Sequence, residues 1–340
     1  MAFGIREIAR LAGVSPATVS RILNDPAYRC SSEERRARVL EIARANNYQP
    51  NEDAKRLRSG GSFSAPQKKI CCFLARTLTS APNGDQFFSS LARAVEQEAV
   101  MQGCALGFSY NASQTGELLA LEPGGEEVGL VVLGRPEDPH IIPELQGRFP
   151  HIVFTGLQRF DDPVDQVVAD GRDAARTALD YLFSLGHREI GYIGETVREL
   201  RYHGYLDFLR AKGLGYDQKF VADCICHGYD GGYQAALRLM SHAEKPTAIF
   251  CANDLTAFGV INALHSLGCR VPDEVSVISV DNVELAQFTT PMLTTIQIPR
   301  KEISHFAVKL LLDKMEGVVA GRLTISLPCH LVVRNSCKKL

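Results

Sequence analysis

The sequence predicts an α/β protein with a small helical head, a linker and a larger body of doubly wound parallel sheets. Three observations support this fold class. First, 340 residues correspond to about two domains at roughly 150 residues per domain. Second, short apolar runs alternate with amphipathic segments after residue 68, which is typical of alternating strands and helices. Third, residues 60–66, Gly-Gly-Ser-Phe-Ser-Ala-Pro, have the composition of a flexible linker.

Apolar residues at helical spacing predict a first helix over residues 5–12. Gly13 suits the left-handed position that ends such a helix, and Ser15 can cap whatever follows. A second helix is predicted over residues 16–23. Pro16 stands at its first position, where a missing N–H costs nothing.

A third helix is predicted to begin near Ser31, with Glu34 completing a capping box. Two short helices joined by a turn that contains glycine, and braced by a third, form a helix-turn-helix. Its second helix would enter the major groove of DNA, where Arg21 can hydrogen-bond a base edge or a phosphate. Ser15, Thr18 and Ser20 would contact the DNA backbone. The alternative is a small three-helix bundle used for packing.

Charge and composition fit this interpretation. Residues 1–60 hold 11 basic and 7 acidic residues, a net charge of +4, which leaves −6 for residues 61–340. A basic head on an acidic body fits a head that meets a polyanion. The longest apolar runs, such as residues 129–134, are far shorter than the ~20 residues of a membrane-spanning helix. Residues 1–7 also lack the layout of a secretion signal, so we expect a cytoplasmic protein without membrane contact.

Neither a metal nor a cofactor is expected. The ten cysteines are spread through the chain and should stay reduced in the cytoplasm. Residues 224–227, Cys-Ile-Cys-His, have the wrong spacing for zinc and lack a second Cys/His pair. Gly-rich phosphate loops, Gly-x-Ser-x-Gly and His-Glu-x-x-His are absent, so an enzyme is not expected either.

The head is similar to a known family. Residues 5–24 read Ile-x-x-Ile-Ala-x-x-Ala-Gly-Val-Ser-x-x-Thr-Val-Ser-Arg-x-Leu-Asn, which resembles the head of the lac repressor/galactose repressor family of bacterial transcriptional regulators. Residues 47–51 resemble that family's entry to its hinge helix. The DNA contacts expected from the motif and the resemblance are Ser15, Pro16, Ala17, Thr18, Ser20, Arg21, Asn24, Tyr48, Asn51, Lys55 and Leu57.

The hinge segment, residues 51–59, is predicted to form a polar helix too short to be stable alone. The resemblance implies that it folds on the operator, pairs with its twin and inserts Leu57 into the minor groove as an apolar wedge. The alternative is a single exposed linker leucine. The sequence departs from the family pattern at Lys55, where arginine is usual, and at Glu52 and Asp53, which bring acidic charge near the phosphates.

The body is predicted to alternate strands and helices. Strands are predicted over residues 70–74, 105–110, 130–133, 152–154, 166–168, 189–193, 220–224, 248–251, 275–280 and 330–333. Helices are predicted over residues 87–102, 139–147, 171–185, 199–212, 231–241, 254–267 and 300–316. About 270 residues are too many for one such sheet, so we expect two similar lobes.

Parts of the body resemble the same family at residues 201–205, 250–254, 275–282 and 291–296. That family's body in turn resembles periplasmic sugar-binding proteins, with two lobes joined by three crossovers around a ligand cleft. Closure of such lobes around a small molecule is a known switch. The organisation expected is a head over residues 1–60, a linker over 61–68, and a body over 69–337 with crossovers near 169–171, 293–296 and 326–327.

The resemblance places effector contacts on Arg201, Asn253 and Asp281. A guanidinium, an amide and a carboxylate can together hold neighbouring sugar hydroxyls, each of which donates and accepts. Asn253 and Asp281 also follow predicted strands, where open α/β sheets place ligands. The alternative for Asn253 is a helix cap, which is the role we expect for Asp254.

Asp85 and Phe87 follow the loop after the first strand and are expected to close the cleft. Phe87 or Phe88 could stack on the apolar face of a sugar, and the alternative is that both are buried core aromatics. Asp281 favours a neutral ligand, because like charge beside an anion is costly.

These observations predict a homodimeric repressor, associated with the nucleoid, that binds double-stranded operator DNA through two heads. A small sugar effector is expected to release it, and residues 288–291 resemble regulators of galactoside utilisation. The alternatives are a sugar-binding or sensing protein without operator control, and a carbohydrate enzyme that uses Asp254 and Asp281 as paired carboxylates.

Overall fold

The computed structural model describes residues 5–24, 32–45, 68–75, 86–121, 125–136, 138, 140–159, 162–197, 199–224 and 228–340. Contacts divide the chain into two compact units, Met1–Pro66 and Gln67–Leu340. The predicted linker, 61–68, spans this division. The predicted hinge helix lies outside the described residues.

The head contains three helices, α1 (Ile5–Ala12), α2 (Pro16–Asn24) and α3 (Glu33–Ala45). Gly13 takes a φ of +68° between the first two, as the sequence predicts. The helices enclose a small apolar core made of Ile8, Ala9, Ala12, Val19, Ile22, Val39 and Ala43.

The second helix is capped as predicted, because the Ser15 hydroxyl accepts the Thr18 N–H at 3.1 Å. The hydrogen-bond ladder of the third helix includes Ser32, whose hydroxyl accepts the Arg35 N–H at 3.5 Å and whose carbonyl accepts the Arg36 N–H at 3.2 Å. Ser31 lies outside the described residues, so its capping box with Glu34 stays a prediction.

The body has two lobes, each with a six-stranded sheet in the described part of the chain. The amino-terminal lobe has the strand order β11-β5-β4-β3-β1-β2 and is parallel throughout. Its strands are β1 (Lys69–Leu74), β2 (Ala105–Asn111), β3 (Val128–Leu133), β4 (His151–Gly156), β5 (Asp165–Ala169) and β11 (Thr324–Leu327). Its helices are α4 (Gln86–Met101), α5 (Thr115–Ala120), α6 (Ile141–Arg148) and α11 (Arg300–Met315).

The carboxy-terminal lobe repeats this topology with the order β12-β10-β9-β8-β6-β7, in which β12 runs antiparallel to β10. Its strands are β6 (Ile190–Gly194), β7 (Val221–Asp223), β8 (Ala248–Cys251), β9 (Ser276–Asp281), β10 (Thr294–Gln297) and β12 (His330–Val332). Its helices are α7 (Gly171–Ser184), α8 (Leu200–Ala211), α9 (Tyr229–Met240) and α10 (Asp254–Ser266).

Most strands were predictable because a parallel strand covered on both faces is apolar throughout. All four residues of β8 are buried and apolar, and five consecutive residues of β3 are buried. The sequence prediction missed β10 and β11, which are four residues long and are each at least half polar, with the sequences Thr-Thr-Ile-Gln and Thr-Ile-Ser-Leu. It also missed the short helix α5.

The chain crosses between the lobes three times among the described strands, after β5, after β10 and after β11. The sequence predicts these crossings near residues 169–171, 293–296 and 326–327. In the structure β5, β10 and β11 end at Ala169, Gln297 and Leu327, and the chain leaves each sheet after that residue.

No helix in the described part of the chain is long and apolar enough to cross a membrane. Among the same residues, no cluster of three or more His, Cys, Asp or Glu side chains is arranged to hold a metal ion.

Candidate functional site

The fold brings charged side chains together at the carboxyl ends of the strands in the carboxy-terminal lobe. Arg201 lies in the first turn of α8, which follows β6, and Asp281 is the last residue of β9. Both are buried, with 6% of each residue exposed. Their nearest charged atoms, Arg201 Nη1 and Asp281 Oδ1, are 3.9 Å apart. The sequence therefore names two residues that the structure places side by side.

Glu199 holds Arg201 in place. Its side chain caps α8 by accepting the Arg201 N–H at 3.0 Å. Its two carboxylate oxygens also accept hydrogen bonds from Arg201 Nε and Nη2, both at 2.7 Å. Burial alone would lower the pKa of Arg201, but the neighbouring Glu199 and Asp281 carboxylates outweigh it and hold that pKa above its ordinary value.

Asp281 stands on a strained turn. Its φ is +122°, and that of Asn282 is +48°, both unusual for residues other than glycine. Arg300 donates to the carbonyl oxygens of Asp281 and Asn282 at 3.3 and 3.0 Å. Arg334 donates to the Asn282 side chain at 2.7 Å. These bonds fix the backbone that carries the Asp281 carboxylate.

Asp254 anchors the same turn from within the lobe. Its Oδ1 accepts hydrogen bonds from Ser279 Oγ at 2.5 Å and Thr295 Oγ1 at 2.6 Å, and its Oδ2 accepts the Val283 N–H at 2.8 Å. The residue is fully buried, and this desolvation raises the pKa of its carboxyl to about 6, although the three hydrogen bonds oppose the shift.

The expected roles of the neighbouring residues Asn253 and Asp254 are therefore partly reversed. Asn253, not Asp254, caps α10, because its Oδ1 accepts the Thr256 N–H at 2.8 Å. Asp254 does not cap the helix, since its side chain points into the lobe and bonds β9, β10 and the turn that follows β9. An effector contact of Asn253 stays a prediction.

Phe87 lies in the first turn of α4, in the amino-terminal lobe, and is 3% exposed. Its ring packs edge-on against Phe88 with centroids 5.0 Å apart, and the Arg300 guanidinium lies 5.9 Å from its centroid. The ring is thus part of the lobe's core and borders the first residue of α11. Asp85 lies outside the described residues.

The predicted DNA-binding residues fall into three groups. Ser15 and Thr18 are hydrogen-bonded to each other at 2.8 Å between their hydroxyls, and Pro16 and Arg21 are exposed. The helix positions of Ala17, Ser20 and Asn24 are described, but not their side chains. The other predictions lie outside the described residues, namely Tyr48, Asn51, Lys55 and Leu57.

Sequence reasoning missed Glu199, Arg300 and the inward role of Asp254. Glu199 was taken as the first residue of a helix, but a carboxylate two residues before Arg201 has the spacing of a side-chain cap. Arg300 is separated from Asp281 by a strand and a loop, so no local pattern in the sequence reports their contact.

Comparison with known proteins identifies relatives of both units. Residues 4–51 match the model of bacterial regulatory proteins of the lacI family, and residues 179–337 match a periplasmic binding protein-like domain. The repressor MelR of Bacillus subtilis (strain 168) is 31% identical over 98% of this chain and 97% of its own length. The repressor CytR of Escherichia coli (strain K12) is 30% identical over 99% of this chain and 96% of its own.

Solved structures resemble the fold. A LacI family regulator from Enterococcus faecium with bound ribose has a TM-score of 0.68 and 25% identity, and covers 80% of this chain and 100% of its own. The lac repressor dimer bound to operator and the anti-inducer ONPF has a TM-score of 0.67 and 24% identity, and covers 99% of this chain and 100% of its own. These likenesses agree with a helix-turn-helix head joined to a two-lobed body.

Proposed function

The chain belongs to the lacI family of bacterial regulatory proteins, given its 31% identity to a transcriptional repressor over 98% of its length, and we propose that a small uncharged sugar releases it from operator DNA. The family and fold class that the sequence predicts are confirmed. The chain is thus a transcriptional repressor with a DNA-binding helix-turn-helix head, a regulator rather than an enzyme.

The separation between Arg201 Nη1 and Asp281 Oδ1 carries the proposal of a sugar. At 3.9 Å these atoms are too far apart for a direct hydrogen bond. A hydroxyl oxygen placed between them can accept from the guanidinium and donate to the carboxylate, each at about 2.9 Å. Neighbouring hydroxyls on a sugar ring repeat this donor–acceptor pair, whereas an apolar ligand offers these two buried groups neither a donor nor an acceptor.

A sugar is also supported by relatives with bound saccharides. A similar regulator, 25% identical, was solved with ribose. A structure with the same fold holds cellobiose. Galactoside utilisation is the most specific form of the proposal, and it rests on the resemblance of residues 288–291.

Release can be relayed through Arg300. This side chain donates to the carbonyls of Asp281 and Asn282 in the carboxy-terminal lobe, yet it is the first residue of α11 in the amino-terminal lobe. Helix α11 is joined to α4 by a 2.8 Å hydrogen bond between His305 Nδ1 and Glu98 Oε1. A ligand that moves the Asp281 turn would therefore displace these two helices, provided that it binds the two arrangements of the lobes unequally.

We propose that the repressor acts as a homodimer in the cytoplasm, with one head on each half of a pseudo-palindromic operator. The solved relative that is a dimer on operator supports this arrangement. The hinge helix over residues 51–59 and the Leu57 wedge remain part of the proposal.

The test is operator release measured by fluorescence anisotropy. The purified full-length repressor first selects its operator from a random DNA library, and galactose, melibiose, cellobiose, ribose, adenosine and hypoxanthine are then titrated into the complex. We expect one of the neutral sugars to weaken operator binding at least tenfold. Arg201→Lys and Asp281→Asn should keep operator affinity and lose this response.

Arg172→Lys is the matched control, since Arg172 pairs with Asp207 at 2.6 Å on the surface of the same lobe with both side chains about half exposed. Its response should equal that of the wild type. If only a purine or a nucleoside releases the repressor, the proposal of a sugar effector is wrong. If Asp281→Asn responds normally, Asp281 does not bind the effector.

A further inference from the structure

We propose that Glu199 determines the ligand class of this site, because its grip on Arg201 makes the cleft accept uncharged hydroxyl groups and exclude anions such as phosphates and carboxylates. The proposal deepens the proposed function, since it takes Arg201 and Asp281 as the effector contacts. Glu199 itself has the role of a specificity-determining residue that acts through Arg201.

Geometry is the first argument. Arginine binds carboxylates and phosphates best when two parallel N–H groups meet two oxygens. Glu199 already occupies one such edge of Arg201, formed by Nε and Nη2, at 2.7 Å for each bond. The remaining Nη1 points to the side where Asp281 lies at 3.9 Å. A bound anion would have to share this side with a carboxylate.

Charge is the second argument. The described structure places three guanidinium groups around the turn, those of Arg201, Arg300 and Arg334. It also places three carboxylates there, those of Glu199, Asp254 and Asp281, so the formal charges balance. A neutral hydroxyl adds no charge to this set. An anion would leave a buried excess of negative charge, and desolvated like charges are costly.

Rigidity is the third argument. Only 12% of the Glu199 side chain is exposed, and its carboxylate also caps α8 through the Arg201 N–H. The surface pair between Arg172 and Asp207 has side chains 49% and 46% exposed, so water competes for it. Glu199 therefore stays on Arg201 and does not yield its place to an incoming anion.

The test removes the negative charge of Glu199 and keeps the shape of its side chain. Glu199→Gln is isosteric and keeps an oxygen that can cap α8 and accept one bond from Arg201, but it removes one negative charge. The probe is inorganic phosphate at 0 to 50 mM, with ionic strength held constant by sodium chloride, and the measurement is the melting temperature of the full chain.

A ligand that binds only the folded state raises the melting temperature. We expect phosphate at 50 mM to raise the melting temperature of Glu199→Gln by about 3 °C, which corresponds to a dissociation constant in the millimolar range. The melting temperature of the wild type should not change. The shift should vanish in the double variant Glu199→Gln/Arg201→Met, which locates the phosphate on Arg201.

Glu195→Gln is the matched control, since it removes the same charge from the same loop, where the Glu195 carboxylate accepts the Val197 N–H at 3.1 Å. It should behave as the wild type. Glu199→Ser, which retains a good capping residue, gives a second variant if the glutamine variant does not fold.

The proposal is overturned if phosphate stabilises the wild type as much as Glu199→Gln, or if neither Glu199 variant responds more than Glu195→Gln. Because the assay uses neither a sugar nor operator DNA, it separates this inference from the proposed function. A repressor that no sugar releases can still show the phosphate shift, and a sugar-released repressor can fail to show it.

Discussion

The two lobes share one strand order, yet they end the corresponding strands β4 and β9 differently. β4 ends at Gly156 with a φ of +152°, and β9 ends at Asp281 with a φ of +122°. Glycine adopts such a conformation freely, whereas aspartate is strained by it. The same backbone turn therefore carries no side chain in the amino-terminal lobe and a charged one in the carboxy-terminal lobe.

This difference shows how two lobes with the same strand order can differ in chemistry. The carboxy-terminal lobe holds Asp281 with buried polar partners, above all Asp254 and Thr295, and its buried polar residues outnumber those of the amino-terminal lobe among the described residues. The amino-terminal lobe contributes a mostly apolar core, including Phe87. In the proposed function, the carboxy-terminal lobe supplies the polar groups that bind the ligand, and the amino-terminal lobe closes on it.

The largest effect should come from helix packing in the carboxy-terminal lobe. A Cβ added at Gly259 in α10 would overlap the backbone carbonyl of Tyr229 in α9, which cannot move without separating the helices. At Gly129 in the amino-terminal lobe, the nearest atom to an added Cβ is the flexible end of Met315, at 2.5 Å.

Gly259→Ala should therefore lower the free energy of unfolding by about 4 kcal/mol, and Gly129→Ala by about 1 kcal/mol. Urea denaturation followed by circular dichroism measures both. Equal losses would mean that the two lobes are packed with the same tolerance.

The next effect concerns the anchor of the strained turn. Asp254→Ala removes three hydrogen bonds and leaves the Val283 N–H buried without its acceptor, so we expect a loss of about 3 kcal/mol at pH 7. Thr155→Val is the control in the other lobe, where the hydroxyl makes a single 3.3 Å bond to the Val132 carbonyl, and it should cost about 1 kcal/mol. A loss below that of the control would show that the turn does not depend on Asp254.

These residues also show which features of the fold and the site can be predicted from the sequence. Strands such as β3 and β8 were predictable because their apolar character is local, and the nearness of Arg201 and Asp281 was predictable because both stand in family motifs. The Asp254 network was not, since its partners Ser279 and Thr295 lie 25 and 41 residues further along the chain. Contacts of this kind depend on the order of the strands in the sheet, which a short stretch of sequence does not specify.

The third effect isolates the backbone strain itself. Asp281→Gly and Asp281→Ala remove the same carboxylate and differ in the Cβ that must tolerate a φ of +122°. The glycine variant should be more stable than the alanine variant by about 1–2 kcal/mol. Gly156→Ala should lose a similar amount in the amino-terminal lobe. If the two Asp281 variants are equally stable, the turn relaxes and the strain is not stored there.

The smallest effect is a pH dependence that only one lobe should have. The pKa of Asp254 is raised to about 6 in the folded chain, above the usual value near 4 in an unfolded one. Between these values the folded state binds the proton more tightly, so this group makes the wild type more stable as the pH falls from 7 to 5. The gap in unfolding free energy between the wild type and Asp254→Ala should therefore widen by about 1 kcal/mol over that range. The gap between the wild type and Thr155→Val should stay constant, because no titrating group is removed. A gap for Asp254→Ala that narrows toward pH 5 would mean that its hydrogen bonds, rather than its burial, govern the titration.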